Sequence, residues 1–206
     1  MSIITLNDRA VRSVTTFGSL NTGSMVFIKK LTASSDGTLS FVDGASSVVF
    51  DSTYKEYLFT FNNIHPATDA AAFTFNGSDD DSSHSYDVTK TTTYFYSYNT
   101  ENDSATNFTY DGNQDLAQGT GFQNLAASIG SDNDQSLSGY LRIFNPSSTT
   151  FVKHFMGETH ISSHENLILH FYMGGYFNTT ADITAMQFKM SSGNIDAGDI
   201  CLYGIL

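Results

Sequence analysis

The chain has 206 residues with 9 Lys plus Arg against 21 Asp plus Glu, a formal charge of −12. That balance excludes functions built on neutralising phosphates: nucleic-acid binding draws on clustered Lys and Arg, and an anionic membrane surface repels such a chain. Ser (26) and Thr (24) supply small hydroxyls, Phe (17) and Tyr (11) the aromatic bulk, and 40% hydrophobic content with only 2 Pro excludes a linker or a disordered acidic tail.

Residues 1–23 read as an arm. Asn7 or Asp8 caps a turn or two of helix over 9–14, which Thr15, Thr16 and Gly18 stop. The turn carries Arg9 and Arg12, two of the three arginines, and its charge opposes that of the rest, so these two are the candidate attachment residues. The Gly- and Ser-rich stretch 18–24 is a hinge by composition. The alternative is an edge strand or cap on the same domain. No apolar signal-peptide core follows the first residues, and the apolar runs are strand-sized, short of the roughly 20 residues of a membrane helix. A soluble chain made in a cytoplasm, without membrane insertion, is expected.

From Met25 the period is two, and residues 24–206 read as one domain. Tyr57, Phe59 and Phe61 share one face of a strand, Tyr94, Tyr96 and Tyr98 one face of another. The same alternation joins Leu137, Leu141 and Ile143, then Leu167, Leu169, Phe171 and Met173, then Met186, Phe188 and Met190. Shorter candidates are 25–30, 38–42, 48–50, 73–76, 122–126, 150–156 and 200–205. Ten to twelve strands between Gly-, Asn-, Asp- and Ser-rich turns predict an all-β fold, an antiparallel β-sandwich with jelly-roll-like topology. Several strands are apolar on both faces, which predicts a covered outer surface and a homo-oligomer, a trimer by preference. The last strand is placed inside a sheet, with Ile200 and Leu202 on one side and Cys201, Tyr203 and Ile205 on the other; Ile200, Leu202, Tyr203 and Ile205 are the candidate core or oligomer residues. Gly204 marks a bend or a close approach to a neighbouring backbone. Cys201, the one cysteine, rules out an intrachain disulfide or a Cys-based zinc site and is expected as a buried thiol.

Chemistry is sparse. No nucleophile elbow or phosphate-cradling Gly loop occurs, and Ser52-Thr53-Tyr54-Lys55 opens a strand instead of a helix. Asp79-Asp80-Asp81 fails as a calcium loop, since His84 and Lys90 fall where glycine and glutamate are needed, and reads as a solvated acidic loop. His160 and His164 would converge on a helix, but Gly157, Ser162-Ser163 and Asn166 make this a hairpin-like connection. A spacing of four along a strand separates them by about 13 Å, so no metal site within one chain is expected, although a ring of equivalent histidines around a symmetry axis stays open. His65, before Pro66, reads as packed in a turn. Carboxylate pairs such as Asp132/Asp134 and Asp196/Asp199, with Glu56, are what chance gives an acidic chain. No catalytic constellation assembles; no enzyme activity and no cofactor are expected.

Residues 54–69 (YKEYLFTFNNIHPATD), 115–125 (DLAQGTGFQNL), 137–155 (LSGYLRIFNPSSTTFVKHF) and 187–205 (QFKMSSGNIDAGDICLYGI), with 6–13 and 17–19, resemble small virion proteins of tailed phages from marine bacteria. The closing strand is also similar to the last strand of several phage fibre and tip domains. The resemblance implies a structural role in the virion and no catalytic residues. Two roles follow: a tail fibre, spike or tip component attaching to a host-surface glycan or protein, or a capsid decoration or head-associated adaptor protein stabilising its neighbours. Partners are then copies of the chain and other virion proteins.

Overall fold

The computed structural model describes residues 24–206, so the arm expected over 1–23, its helical turn and Arg9 and Arg12 lie outside the described residues. Among the described residues there is no helix, and none is long and apolar enough to cross a membrane. Twelve antiparallel strands form two sheets, as the period-two alternation predicts. The larger holds, side by side, β1 (Met25–Thr32), β12 (Ile195–Ile205), β3 (Glu56–Pro66), β8 (Leu137–Phe144), β9 (Lys153–Ser162), β10 (Leu167–Phe177), β5 (Lys90–Thr100) and β6 (Thr106–Tyr110). The smaller holds β2 (Leu39–Val42), β11 (Ala185–Met190), β4 (Ala71–Ser78) and β7 (Gln123–Ile129).

The order is nested. The first strand lies beside the last, the second beside the second-last, and β1 to β4 alternate between the sheets. Two hairpin additions, β5–β6 and β9–β10, interrupt this plan. β10 pairs with β5 from Leu167↔Thr100 to Phe177↔Lys90, so both additions lengthen the larger sheet beyond β8.

The core lies between the sheets. Tyr57, Phe59 and Phe61 of β3, Leu141 and Ile143 of β8 and Ile200 and Leu202 of β12 point inward and are buried. They meet Phe41, Phe73 and Phe188 of the smaller sheet, largely edge to face: Phe59 to Phe188 at 5.2 Å, Phe61 to Phe73 at 5.2 Å, Phe41 to Phe59 at 5.3 Å, while Phe75 packs on Phe155 and Phe177. Such pairs add about 0.5–1.5 kcal/mol each beyond area burial. Opposing bulges in β3 and β12 are fitted by Gly198 (φ 115°), where a Cβ would lie 2.6 Å from the Asn63 carbonyl oxygen.

β12 pairs on both sides, with β1 and β3, which places it inside the sheet as expected. Its alternation puts Cys201 on the outer face with Tyr203 and Ile205, all three half-buried, so Cys201 is not the buried thiol expected. The neighbour that requires Gly204 is the Tyr54 ring and not a backbone, because a Cβ there would clash with the ring. Residues 48–50 form no strand. Val48 and Phe50 are buried because they plug the core from a turn: the Phe50 N–H donates to Asp43 Oδ1 at 2.7 Å and its ring packs on Tyr57 at 5.5 Å. β6 is absent from the strands that alternation predicts, because a mostly exposed edge strand has no core face to reveal it. Asp80 is not merely solvated. Its carboxylate accepts N–H bonds from Ser82, Ser83, His84 and Ser85, and these hold its pKa well below the usual carboxylate range.

The outer face of the larger sheet exposes Met25, Phe27, Phe108, Tyr110, Met156, Ile168 and Tyr172, with the Arg142–Glu56 and His170–Glu158 pairs among them.

Candidate functional site

On β5 the inward residues are Tyr94, Tyr96 and Tyr98. Opposite them on β10 are Met173, Phe171 and Leu169. The smaller sheet stops at β7, and beyond it this inner face opens into a groove of about 390 Å³ lined by Tyr94, Tyr96, Tyr98, Leu169 and Phe171. Tyr94 is fully buried, whereas Tyr96 and Tyr98 are half-buried. The rings form a graded ladder, with Tyr94 on Phe171 at 5.5 Å, Tyr96 on Phe171 at 6.2 Å and Tyr96 stacked with Tyr98 at 6.5 Å and 20°.

Polar groups converge on this wall from three connections: Thr100 at the end of β5, Asp111 and Gln114 after β6, and Glu165 in the β9–β10 turn. Residues 111–122 are fixed from below. The buried Lys90 ammonium donates to the Gly121 carbonyl at 2.6 Å and the Val88 carbonyl at 3.0 Å, and burial lowers its pKa to about 8. Thr92 accepts the Leu116 N–H at 2.8 Å and donates to Gln123, which in turn donates to the Gln114 carbonyl at 3.0 Å. Gln114 Oε1 accepts from Asn124. The Asp111 N–H donates to the Tyr94 carbonyl at 2.9 Å.

One atom in this groove is unsatisfied. The Tyr94 hydroxyl is buried and has no hydrogen-bond partner among the described residues. Burial, then the Asp111 charge, pushes its pKa well up, so it stays a neutral donor. A buried hydroxyl without a partner costs about 1–3 kcal/mol.

The outer face of the same strands carries a second cluster. The hairpin register sets His160 opposite His170 and Glu158 opposite Tyr172, while Tyr140 of β8 lies opposite Glu158. His170 Nε2 and Glu158 Oε1 are 2.7 Å apart, the Tyr140 hydroxyl donates to Glu158 Oε2 at 2.9 Å, and the Tyr172 hydroxyl bonds His170 Nδ1 at 2.8 Å. His160 stacks on His170 at 3.8 Å. The Tyr140 bond, ahead of the His170 contacts, lowers the Glu158 pKa; burial, then the His170 charge, lowers that of His160. Glu158, His160 and His170 each offer a ligand atom within 4.8 Å of the others.

The sequence weighed His160 against His164 along one strand. The turn instead parts those two and folds His170 back onto His160; His164 Nδ1 lies 3.4 Å from the Ser128 carbonyl oxygen. Two neighbours of like type, ten apart and centred on Glu165 in the turn, were the available signal. His65 lies within β3, one residue before its end, instead of sitting in a turn, and faces Asp196 at 3.7 Å. Glu56 is bound to Arg142 at 2.6 Å, and Asp199 to Lys30 and Thr32, so these carboxylates serve cross-strand bonds. Of the candidate core or oligomer residues, Ile200 and Leu202 lie in the core, while Tyr203, edge-on to Phe27 at 5.7 Å, and Ile205 face outward. The groove tyrosines were legible as a strand face but not as a site. No protein-family model matches the chain, and no characterised protein or solved structure shows significant similarity to it.

Proposed function

We propose that the protein is a non-enzymatic virion component, a tail fibre, spike or tip subunit, that attaches to a host-surface glycan through the tyrosine groove. The observation that carries this reading is the half-open ladder of the Tyr96 and Tyr98 rings along a groove rimmed by polar groups. A pyranose has an apolar C–H face, which suits Tyr96 and Tyr98, and a rim of hydroxyls, which suit Asp111, Gln114 and Glu165. The groove's volume falls within the range of small-molecule sites. Its carboxylates and the charge of −12 favour neutral or amino sugars over acidic ones. The nested strand order supports a jelly-roll reading of the sandwich, elaborated by two inserted hairpins. The resemblance of 54–69, 137–155 and 187–205 to phage virion proteins supports the setting, with assembly in the host cytoplasm.

Saturation-transfer NMR with neutral and acidic host polysaccharides tests it. Neutral chains are expected to bind without being cleaved, and Tyr98→Ala to abolish the signal while the melting temperature stays near that of the parent. Absence of binding by any surface polysaccharide, or binding untouched by Tyr98→Ala, overturns the assignment.

The exposed apolar outer face supports a second reading, a decoration or adaptor protein packed on its neighbours. A homotrimer is proposed in either case, and a sedimentation mass of one 22.5 kDa subunit at micromolar concentration refutes it. Copy number separates the roles: hundreds per particle indicate decoration, tens at most a fibre. Arg9 and Arg12 are proposed as the attachment segment; deleting residues 1–19 is expected to leave a folded body that no longer joins the particle.

A further inference from the structure

We infer that Glu158, His160 and His170 form a binding site for a single divalent transition ion of the zinc class on the outer face of the β9–β10 hairpin. The inference goes beyond the attachment reading and rests on the opposite face of β10 from the tyrosine groove.

Two imidazoles and one carboxylate are a recurrent donor set for zinc, which takes three protein ligands and leaves a fourth position open. Here they come from adjacent strands whose register fixes them: His160 directly across from His170, Glu158 one step along the same face. His170 Nε2 and His160 Nε2 lie 2.7 and 3.9 Å from the same Glu158 oxygen. All three candidate atoms lie within 4.8 Å of one another, and side-chain rotation that unstacks the two rings brings them to the roughly 2.0–2.2 Å that zinc requires.

The atoms a metal would not use are held. Glu158 Oε2 accepts from Tyr140, and His170 Nδ1 is bonded to Tyr172. These are the outer contacts that orient ligands at metal centres and set the tautomer of a ligating histidine. With Nε2 turned to the metal, His170 carries its proton on Nδ1 and donates it to the Tyr172 oxygen, which reverses that bond. The charge agrees, since a dication between two neutral rings and one carboxylate leaves +1, whereas two imidazolium rings stacked at 3.8 Å would repel.

The fourth position faces outward. His160 is about half exposed and borders an open hollow of about 490 Å³ with Ser138, Ser162 and Ile168. Water, or a donor from another molecule, fits there.

Titration of the full chain with Zn²⁺ by calorimetry, and with Co²⁺ by visible absorption, tests the site. One equivalent is expected to bind in the micromolar range or tighter at pH 7.5. Co²⁺ is expected to give the intense absorption of four-coordinate geometry. H170A and E158Q should weaken binding at least 100-fold, and Tyr172→Phe about 10-fold, the usual range for an outer contact. If H170A fails to fold, H160A, at an exposed position, and the imidazole NMR shifts of the unaltered chain on adding Zn²⁺ decide the matter. Weak or non-stoichiometric binding, retention of affinity in H160A, or Zn²⁺-induced shifts at His154 or His164 alone overturns the proposal. Glycan binding that survives these variants is expected, so failure of either assignment leaves the other standing.

Discussion

β3 and β5 carry nearly the same message, YLFTF in one and YFYSY in the other, and the protein puts them to different uses. On β3 the ring face lies under the smaller sheet, and Tyr57, Phe59 and Phe61 vanish into the core. On β5 the ring face runs past the edge at β7, so Tyr94 is buried and Tyr96 and Tyr98 are left half open. Alternation therefore states which residues share a face; the extent of the opposing sheet decides whether that face becomes core or groove.

Four experiments stress this contrast. The largest effect is expected from removing residues 200–206, which takes away most of the strand that joins β1 to β3 on the covered side. Burial of Ile200 and Leu202 contributes about 1.5–3 kcal/mol each, and two ladders are lost, against a typical stability of about 5–15 kcal/mol. Insoluble protein is expected on expression; a soluble product with unchanged melting would show β12 to be peripheral. Next, Phe59→Ala, which strips a ring packed on Phe41, Phe50 and Phe188, should cost about 3–5 kcal/mol in urea unfolding.

The third concerns the polar base of the groove. Lys90 has its pKa lowered from 10.5 to about 8 by burial. Between those values the unfolded chain holds the proton and the folded chain does not, so stability rises with pH across that window. The rise from this group is up to about 3 kcal/mol. Above pH 10 the buried phenols of Tyr57 and Tyr94, whose pKa values are raised, oppose it, because the unfolded chain then loses protons first. Unfolding at pH 7.5, 8.5 and 9.5 should show the rise, and Lys90→Met should flatten it. The smallest effect is expected from Tyr98→Ala, at most about 1 kcal/mol on stability, with loss of glycan binding as its main consequence. Equal costs for Tyr98→Ala and Phe59→Ala would erase the distinction between the two strands.

The strands were legible because each has one face in the core, and Leu137, Leu141 and Ile143 or Met186, Phe188 and Met190 advertise it by alternation. β6 was not, since an exposed edge strand is under no such constraint. Val48 and Phe50 misled for the opposite reason: apolar character reports burial, not pairing. The sites lay beyond local pattern. The groove depends on where β7 ends. The Glu158, His160 and His170 cluster depends on a cross-strand register, set by the turn at 163–166, that spacing along one strand does not contain.

The position of β12 also bears on how the molecule is made. Met25 waits for Ile205, and Tyr57 for Gly204, so the pairing at one side of the larger sheet joins segments from opposite ends of the described chain. Such high contact order places folding on the millisecond-to-second scale and charges a large loop-closure entropy before the final ladder forms. During synthesis the facing edges of β1 and β3 stay open until residues 195–205 have left the ribosome. In that interval they are templates for the β12 of another copy, which makes strand exchange between nascent chains the characteristic misassembly of this topology.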